Sequence, residues 1–190
     1  MTGFGSYTQI IRWNACRIYP NNGLKGLIGK VEGQLGTLIA TYAQPGQVTW
    51  IGLRPARRGG VQPVPAADIT ERGLVGDHGA SDKRAVTLFQ AEHLGAIGAY
   101  LGRGAVDPVD LRRNLVVAGL NLAALKGRQV QVGQAVLEIT GICAPCSRME
   151  EALGEGGYSA MRGHGGWCAR VLVPGAVHCG DAVVPLTSGT

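Results

Sequence analysis

The sequence predicts a mostly β domain, barrel-like and dressed with several short helices; an α+β arrangement is the alternative. Three observations lead there. Glycine supplies 31 of the 190 residues, roughly twice its usual share, which favours many tight turns between short elements. Apolar runs recur in short blocks separated by Gly, Pro, Asp and Asn, a spacing suited to strands. Hydrophobic residues make up 45% of the chain, enough for one real core at this length, whereas two full domains would be cramped.

The elements follow in order. Residues 1–45 form an appendage of uncertain order, a frayed extension or a docked helix. Leu24, Leu27, Ile28, Val31, Leu35, Leu38 and Ile39 fall at helical spacing there, but glycines interrupt that face. Residues 46–190 are the domain proper. VTWIGLRP predicts a strand stopped by Pro55, and PARRGGVQPVP a turn-rich connection. AADIT is strand-like and leads into the loop of GLVGDHGASDKR; AVTLFQ is a short apolar strand. AEHLGAIGAYLG places Leu94, Ile97, Tyr100 and Leu101 at helical spacing. DPVDLRRN predicts a helical turn with Asp107 as N-cap and Pro108 at the first position. NLVVAGL is a strand, NLAALKG a short helix closed by Gly127, and RQVQVGQAVLEITG a hairpin. SRMEEAL is helical. CARVLVPGAVHCGDAVVPL predicts two strands across a Pro-Gly turn.

Charge and composition narrow the function classes. The net charge is +5, from 18 Lys plus Arg against 13 Asp plus Glu. No block of consecutive basic residues is present and aromatics are few, which argues against nucleic acid as a partner. A diffuse arginine excess suits a small anion held by forked guanidinium groups, with a merely basic solvated surface as the plain alternative. The odd count of five cysteines, the missing leader pattern and the lack of a membrane-length apolar run predict a cytoplasmic protein with reduced thiols and no membrane partner.

The chemistry-bearing stretch is GICAPCSRMEEALG, residues 141–154, with two thiols three positions apart. A thioredoxin-like dithiol needs that spacing in a βαβ context, and a hairpin of strands precedes it here. Cys143 and Cys146 followed by His164 and Cys168 resemble a zinc spacing. Against zinc, His164 lies in the turn GHGG and Cys168 opens an apolar strand. The third reading is one working thiolate, Cys146, at the N-cap or first turn of SRMEEAL, where free N–H groups and the nearby Arg148 favour negative charge. Such a sulfur suits sulfur transfer or ligation of a soft or high-valent metal. A buried structural cysteine stays open on spacing alone. Ahead of the strand LVVAGL, Arg112, Arg113 and Asn114 offer donors for a phosphate or carboxylate, or a plain solvated turn. The loop around Asp77 and His78 matches no nucleotide fingerprint, and no HExxH, GxSxG or ordered triad is present.

Taken in order, GLVGD, RAVTLFQAEHL, DPVDLRRNLVVAGLNLAALKGRQVQVGQAVLEITGICAPCSRMEEALG and GYSAMRGHGGWCARVLVPGAVHCGDAVV resemble the MOSC domain, the C-terminal module of molybdenum cofactor sulfurases that also occurs as small stand-alone bacterial proteins. The resemblance covers residues 48 to 185. It implies a β-barrel-like fold with peripheral helices. It also implies a molybdenum-cofactor-linked role in which Cys146, in the Pro-Cys step, carries a persulfide or ligates molybdenum. Arg112 and Asn114 match the family's Arg-x-Asn pattern for holding the cofactor, molybdopterin, with Arg148 beside them. Arg113 stands where some relatives have proline, and Cys143 matches no required position. The implied activity is sulfurtransferase-type or a molybdenum-dependent reduction of N-hydroxylated compounds. A cysteine desulfurase or an electron donor is the implied partner, and pyridoxal phosphate enters only through the desulfurase. Two departures count against full reductase activity: the loop after Asp77 is short, and the first 45 residues do not match the N-terminal barrel of the amidoxime-reducing members. The rival reading is a non-enzymatic module that binds a small anion or a partner protein.

Overall fold

Strands wound into a closed barrel form the centre of the molecule. The computed structural model describes residues 34–79 and 81–186; the helical pattern expected between Leu24 and Val31 lies outside them. The strands are β1 (Gly46–Leu53), β2 (Gln62–Val64), β3 (Ala66–Thr70), β4 (Gly73–Leu74), β5 (Val86–Gln90), β6 (Leu115–Ala118), β7 (Gln129–Val132), β8 (Ala135–Ile142), β9 (Trp167–Val173), β10 (Gly175–His178) and β11 (Ala182–Pro185). Their order in the main sheet is β11-β7-β8-β9-β5-β6-β1-β2, and β11 pairs back onto β1. Seven strands therefore close a ring, which removes the unpaired edges of an open sheet.

Alternation and its local failure explain which faces are covered. β7 alternates half-buried and buried residues, with Val130 and Val132 inward, as expected of a wall wet on one side. β5 has four consecutive buried residues, Val86 to Phe89, because helices cover its outer face. β5 and β6 are the parallel pair of the ring, and a parallel pair requires a crossover connection. That crossover carries α2 (Glu92–Tyr100) and α3 (Pro108–Leu111). Asp107 caps α3 as the sequence predicts, its Oδ1 accepting from Val109 N at 2.9 Å.

Two hydrophobic clusters result. One fills the barrel with Val48, Ile51, Val86, Leu88, Leu115, Val117, Leu137, Ile139 and their neighbours. The other lies between the barrel wall and the helices, joining Phe89 and Val116 to Ile97, Leu111, Met149, Leu153 and Met161. Met149 and Leu153 belong to α4 (Arg148–Leu153), followed by α5 (Gly157–Ala160). A six-residue helix is not stable alone. Burying each of those side chains contributes about 1.5–3 kcal/mol and fixes α4 against the barrel.

Three sequence expectations change. PGAVHCGDAVVPL does not make a hairpin with β9: β10 leaves the barrel and pairs with β3 in a second sheet, order β10-β3-β4. The connection PARRGGVQPVP contains the short strand β2, which pairs with the end of β1. Of the appendage, α1 (Gln34–Ala40) is described. It buries no residue, leaving Leu35, Leu38 and Ile39 exposed, while Tyr42 just beyond it packs partly on the barrel core.

Candidate functional site

Where the barrel meets α3 and α4, three arginines and a cysteine come together. Arg54 directly follows β1, and its guanidinium forks onto Asp77 (Nε to Oδ1 2.9 Å, Nη2 to Oδ2 2.6 Å) while its backbone N–H also donates to Oδ1 at 2.7 Å. Asp77 sits in the tight loop after β4, where Gly76 has φ +86°. Burial would raise the Asp77 carboxyl, but the hydrogen bonds and charge of Arg54, with the Gly79 N–H, hold it below its ordinary range. Asp77 is therefore saturated by Arg54 and leaves no carboxylate free for the other two arginines.

Arg112 ends α3 in the left-handed region, φ 55° and ψ 41°, a conformation that costs a non-glycine residue about 1–2 kcal/mol. Its guanidinium donates to the carbonyls of Gly59 and Arg57 in the β1–β2 connection. Arg148, at the start of α4, donates to the same Arg57 carbonyl at 2.8 Å. Two cations thus converge on one neutral oxygen. Burial, then the charges of Arg148 and Arg54, lower the Arg112 pKa, with Asp77 and Cys146 opposing. Among the described residues neither Arg112 nor Arg148 has a carboxylate partner, so their charge is met only by neutral carbonyls.

Cys146 is exposed, one residue before the N-cap Ser147 of α4, rather than at the N-cap itself. Its carbonyl accepts from Met149 N at 2.9 Å. With Lys83, Arg84, Ile142, Pro145 and Cys168 it lines a cleft of about 420 Å³. Asn114 lies deeper. It is fully buried, and its Oδ1 accepts from Thr87 N (3.0 Å), Thr87 Oγ1 (2.7 Å) and Arg54 Nη2 (3.0 Å), while Nδ2 donates to Gly52 O at 3.3 Å. Asn114 therefore ties β1, β5 and β6 together at the point where Arg54 emerges.

Of the residues singled out in the sequence, the structure brings Arg112, Arg148 and Cys146 into one neighbourhood and places Asn114 beneath it. Two residues were missed. Arg54 bridges Asp77 and Asn114, and its only sequence signal was an arginine ending a strand before proline. Cys143, set aside as a bystander, is 3% exposed and lies buried with Arg113 and Cys168, with the exposed Arg84 acting on it from the surface side. His164 of the zinc spacing is elsewhere: its ring packs on His93 at 4.6 Å and near Tyr100. It lines a separate cleft of about 470 Å³ with Tyr100, Ser159 and Arg162. Burial, then the His164 charge, lower the His93 pKa.

The family model described as the MOSC domain matches residues 75–184. The chain belongs to the MOSC domain family. That family is associated with molybdenum-cofactor-related sulfur and metal binding. Among solved structures the chain resembles the YuaD protein of Bacillus subtilis (TM-score 0.67, 18% identity), covering 74% of this chain and 94% of that one. It also resembles YiiM from Geobacillus stearothermophilus (TM-score 0.63, 18% identity, 77% of each chain covered). For YiiM from Escherichia coli the values are 0.59 and 21%, with 77% of this chain and 70% of that one covered. At these identities the likeness supports the MOSC barrel fold alone. No curated protein matches. Among the described residues no helix is long and apolar enough to cross a membrane.

Proposed function

We propose that this MOSC protein works as a molybdenum-cofactor-linked sulfur carrier or molybdenum-binding protein, with Cys146 as the sulfur that bears persulfide or ligates the metal. The observation that carries the reading is the convergence of Arg112 and Arg148 on the Arg57 carbonyl beside an exposed cysteine. The residues present fit the cofactor. A pterin phosphate needs fixed cations not already neutralised, and Arg54 alone consumes Asp77. A molybdenum centre needs a soft ligand that solvent and substrate can reach. Arg112 and Arg148 would hold the anionic group, exchanging the neutral carbonyls of Arg57 and Gly59 for its oxygens. Asn114 acts through Arg54 as a positioning residue rather than by touching the ligand. When bound, the cofactor supplies the oxygen- or sulfur-transfer redox chemistry; the chain supplies charge, orientation and the thiol.

Cytoplasmic placement keeps Cys146 reduced between turnovers, and sulfur would come from a pyridoxal-phosphate-dependent desulfurase partner. Reduction of an N-hydroxylated substrate would instead require an electron donor. The experiment is purification from a cofactor-producing host, with molybdenum and pterin quantified, followed by persulfide labelling after incubation with a cysteine desulfurase and cysteine. Native protein should retain molybdenum or label with persulfide, and Cys146→Ser should lose either signal. A native protein that neither retains nor takes up cofactor on reconstitution, and never labels, would be a plain anion- or partner-binding module instead.

A further inference from the structure

Arg113 is a buried cation without a carboxylate. Its side chain is 7% exposed. Nε donates to Gly165 O at 2.7 Å, Nη1 to Leu111 O at 2.8 Å and Nη2 to Cys143 O at 3.4 Å. All three acceptors are neutral, and among the described residues no Asp or Glu pairs with it. Leaving a guanidinium charged and uncompensated inside a protein is costly. The groups of opposite sign that act on it are thiols, Cys143 first and then Cys168 and Cys146.

The first two thiols are neighbours. Cys168 on β9 pairs with Gly141 on β8, and Cys143 N–H donates to Gly166 O at 2.8 Å just beyond, so the two cysteines lie diagonally across adjacent strands. That places both side chains on the same face of the β8–β9 ladder, where the charge of Arg84 acts on both and Cys168 Sγ lies 4.0 Å from Ile142 O. The Cys168 contact, with the charges of Arg113 and Arg84, outweighs burial and brings Cys143 down to about 6, while Cys168 is pushed up. Of the two sulfurs, the surroundings favour the thiolate at Cys143 and the thiol at Cys168. Cys168 and Arg84 also line the cleft of Cys146, which gives a small reagent a way in.

We propose that Cys143 and Cys168 form a redox-active dithiol, oxidised by a hydroperoxide to an intramolecular disulfide, distinct from the working sulfur of Cys146. The Cys143 thiolate attacks the peroxide oxygen, an S–O bond forms and the O–O bond breaks. The departing alkoxide takes the Cys168 proton and leaves as the alcohol. Cys168 sulfur then attacks the sulfenic sulfur, closing the S–S bond and expelling hydroxide, which solvent neutralises. The two electrons lost by the sulfurs reduce the peroxide. Oxidation strips Arg113 of its counterion. Because Arg113 also holds the carbonyls of Cys143, Leu111 and Gly165, the loss is felt at both the Cys146 segment and the Arg112 corner.

The test treats reduced full-length protein with tert-butyl hydroperoxide, blocks free thiols, and maps linked peptides by mass spectrometry. The expected product links Cys143 to Cys168 in native protein and in Cys146→Ser. A Cys143–Cys146 link, or both Cys143 and Cys168 remaining free to alkylate or passing directly to sulfinic acid, overturns the proposal. The native peptide map decides this even if Cys143→Ser or Cys168→Ser fails to fold. Arg84→Gln removes one cation from the pair, and link formation at pH 6 should slow roughly 3–10-fold. An unchanged rate overturns the assignment of Cys143 as the attacking sulfur.

Discussion

Replacing Asn114 by alanine tests whether the barrel and the arginine site are one cooperative unit. The carboxamide oxygen accepts from Thr87 N, Thr87 Oγ1 and Arg54 Nη2, and the amide nitrogen donates to Gly52 O. Alanine removes four contacts. Arg54 keeps its fork on Asp77, and Thr87 Oγ1 still accepts from Asn114 N at 3.0 Å, so those groups retain partners. The Thr87 N–H does not. Thr87 is 4% exposed, and an unpaired buried donor costs about 1–3 kcal/mol, with about 1 kcal/mol more for each net hydrogen bond lost. The expected loss is about 3 kcal/mol, a lowering of Tm by roughly 6–12 °C for a domain of this size. Equilibrium urea unfolding measures it, and phosphate titration of the folded variant reports whether Arg54 has moved. A loss below about 1 kcal/mol would refute the hub.

Three further outcomes are expected. In α2, Gly98→Ala would place a Cβ 2.0 Å from Gly104 O, whereas Gly95 meets nothing within 4 Å. Gly98→Ala should lose roughly 2 kcal/mol or more by forced backbone shift, and Gly95→Ala should gain about 0.5–1 kcal/mol; equal Tm values would contradict this. The Asp77 carboxyl titrates below its ordinary 3.8, so as pH falls the unfolded chain takes that proton first. Its stabilisation is complete above that value and lost as pH drops through the folded one; urea midpoints should decline more steeply for native protein than for Asp77→Asn, and parallel curves would exclude the linkage. At the left-handed Arg112, glycine should be more stable than alanine by about 1 kcal/mol, with both variants losing phosphate affinity. A glycine variant less stable than the alanine one would show that the corner is unstrained.

What was legible in the sequence was local. Asp107-Pro108 marks the start of α3 because a cap and a preset φ act within three residues, and alternation marks β7 and β8 because each has one wet face. What was hidden depends on distant partners. Val173-Pro174-Gly175 looks like a hairpin turn, yet β10 finds its pair in β3, more than a hundred residues earlier. Nothing near position 174 encodes that choice. α5 (GYSA) is four residues between glycines and leaves no periodic trace. The Arg54–Asp77 fork was invisible for the same reason, since neither residue carries a local mark of the other. Cys143 was set aside on motif position. Its significance comes from Arg113, Arg84 and Cys168, three residues from three other segments.

The consecutive residues Arg112, Arg113 and Asn114 show how one backbone corner assigns three polar side chains to three tasks. α3 must end before β6 begins, and the left-handed turn at Arg112 makes that change of direction within a single residue. It turns the Arg112 side chain outward to the Arg57 and Gly59 carbonyls. The next residue points inward, and Arg113 enters the seam between Cys143 and Gly165. By Asn114 the chain has joined the barrel and its amide locks onto Thr87 and Gly52. A cation facing the β1–β2 connection, a cation in the seam behind it and a hub in the wall are therefore coupled through one strained residue. Relaxing that residue should alter anion binding at Arg112 and the thiol environment at Cys143 together, although the two sites share no ligand.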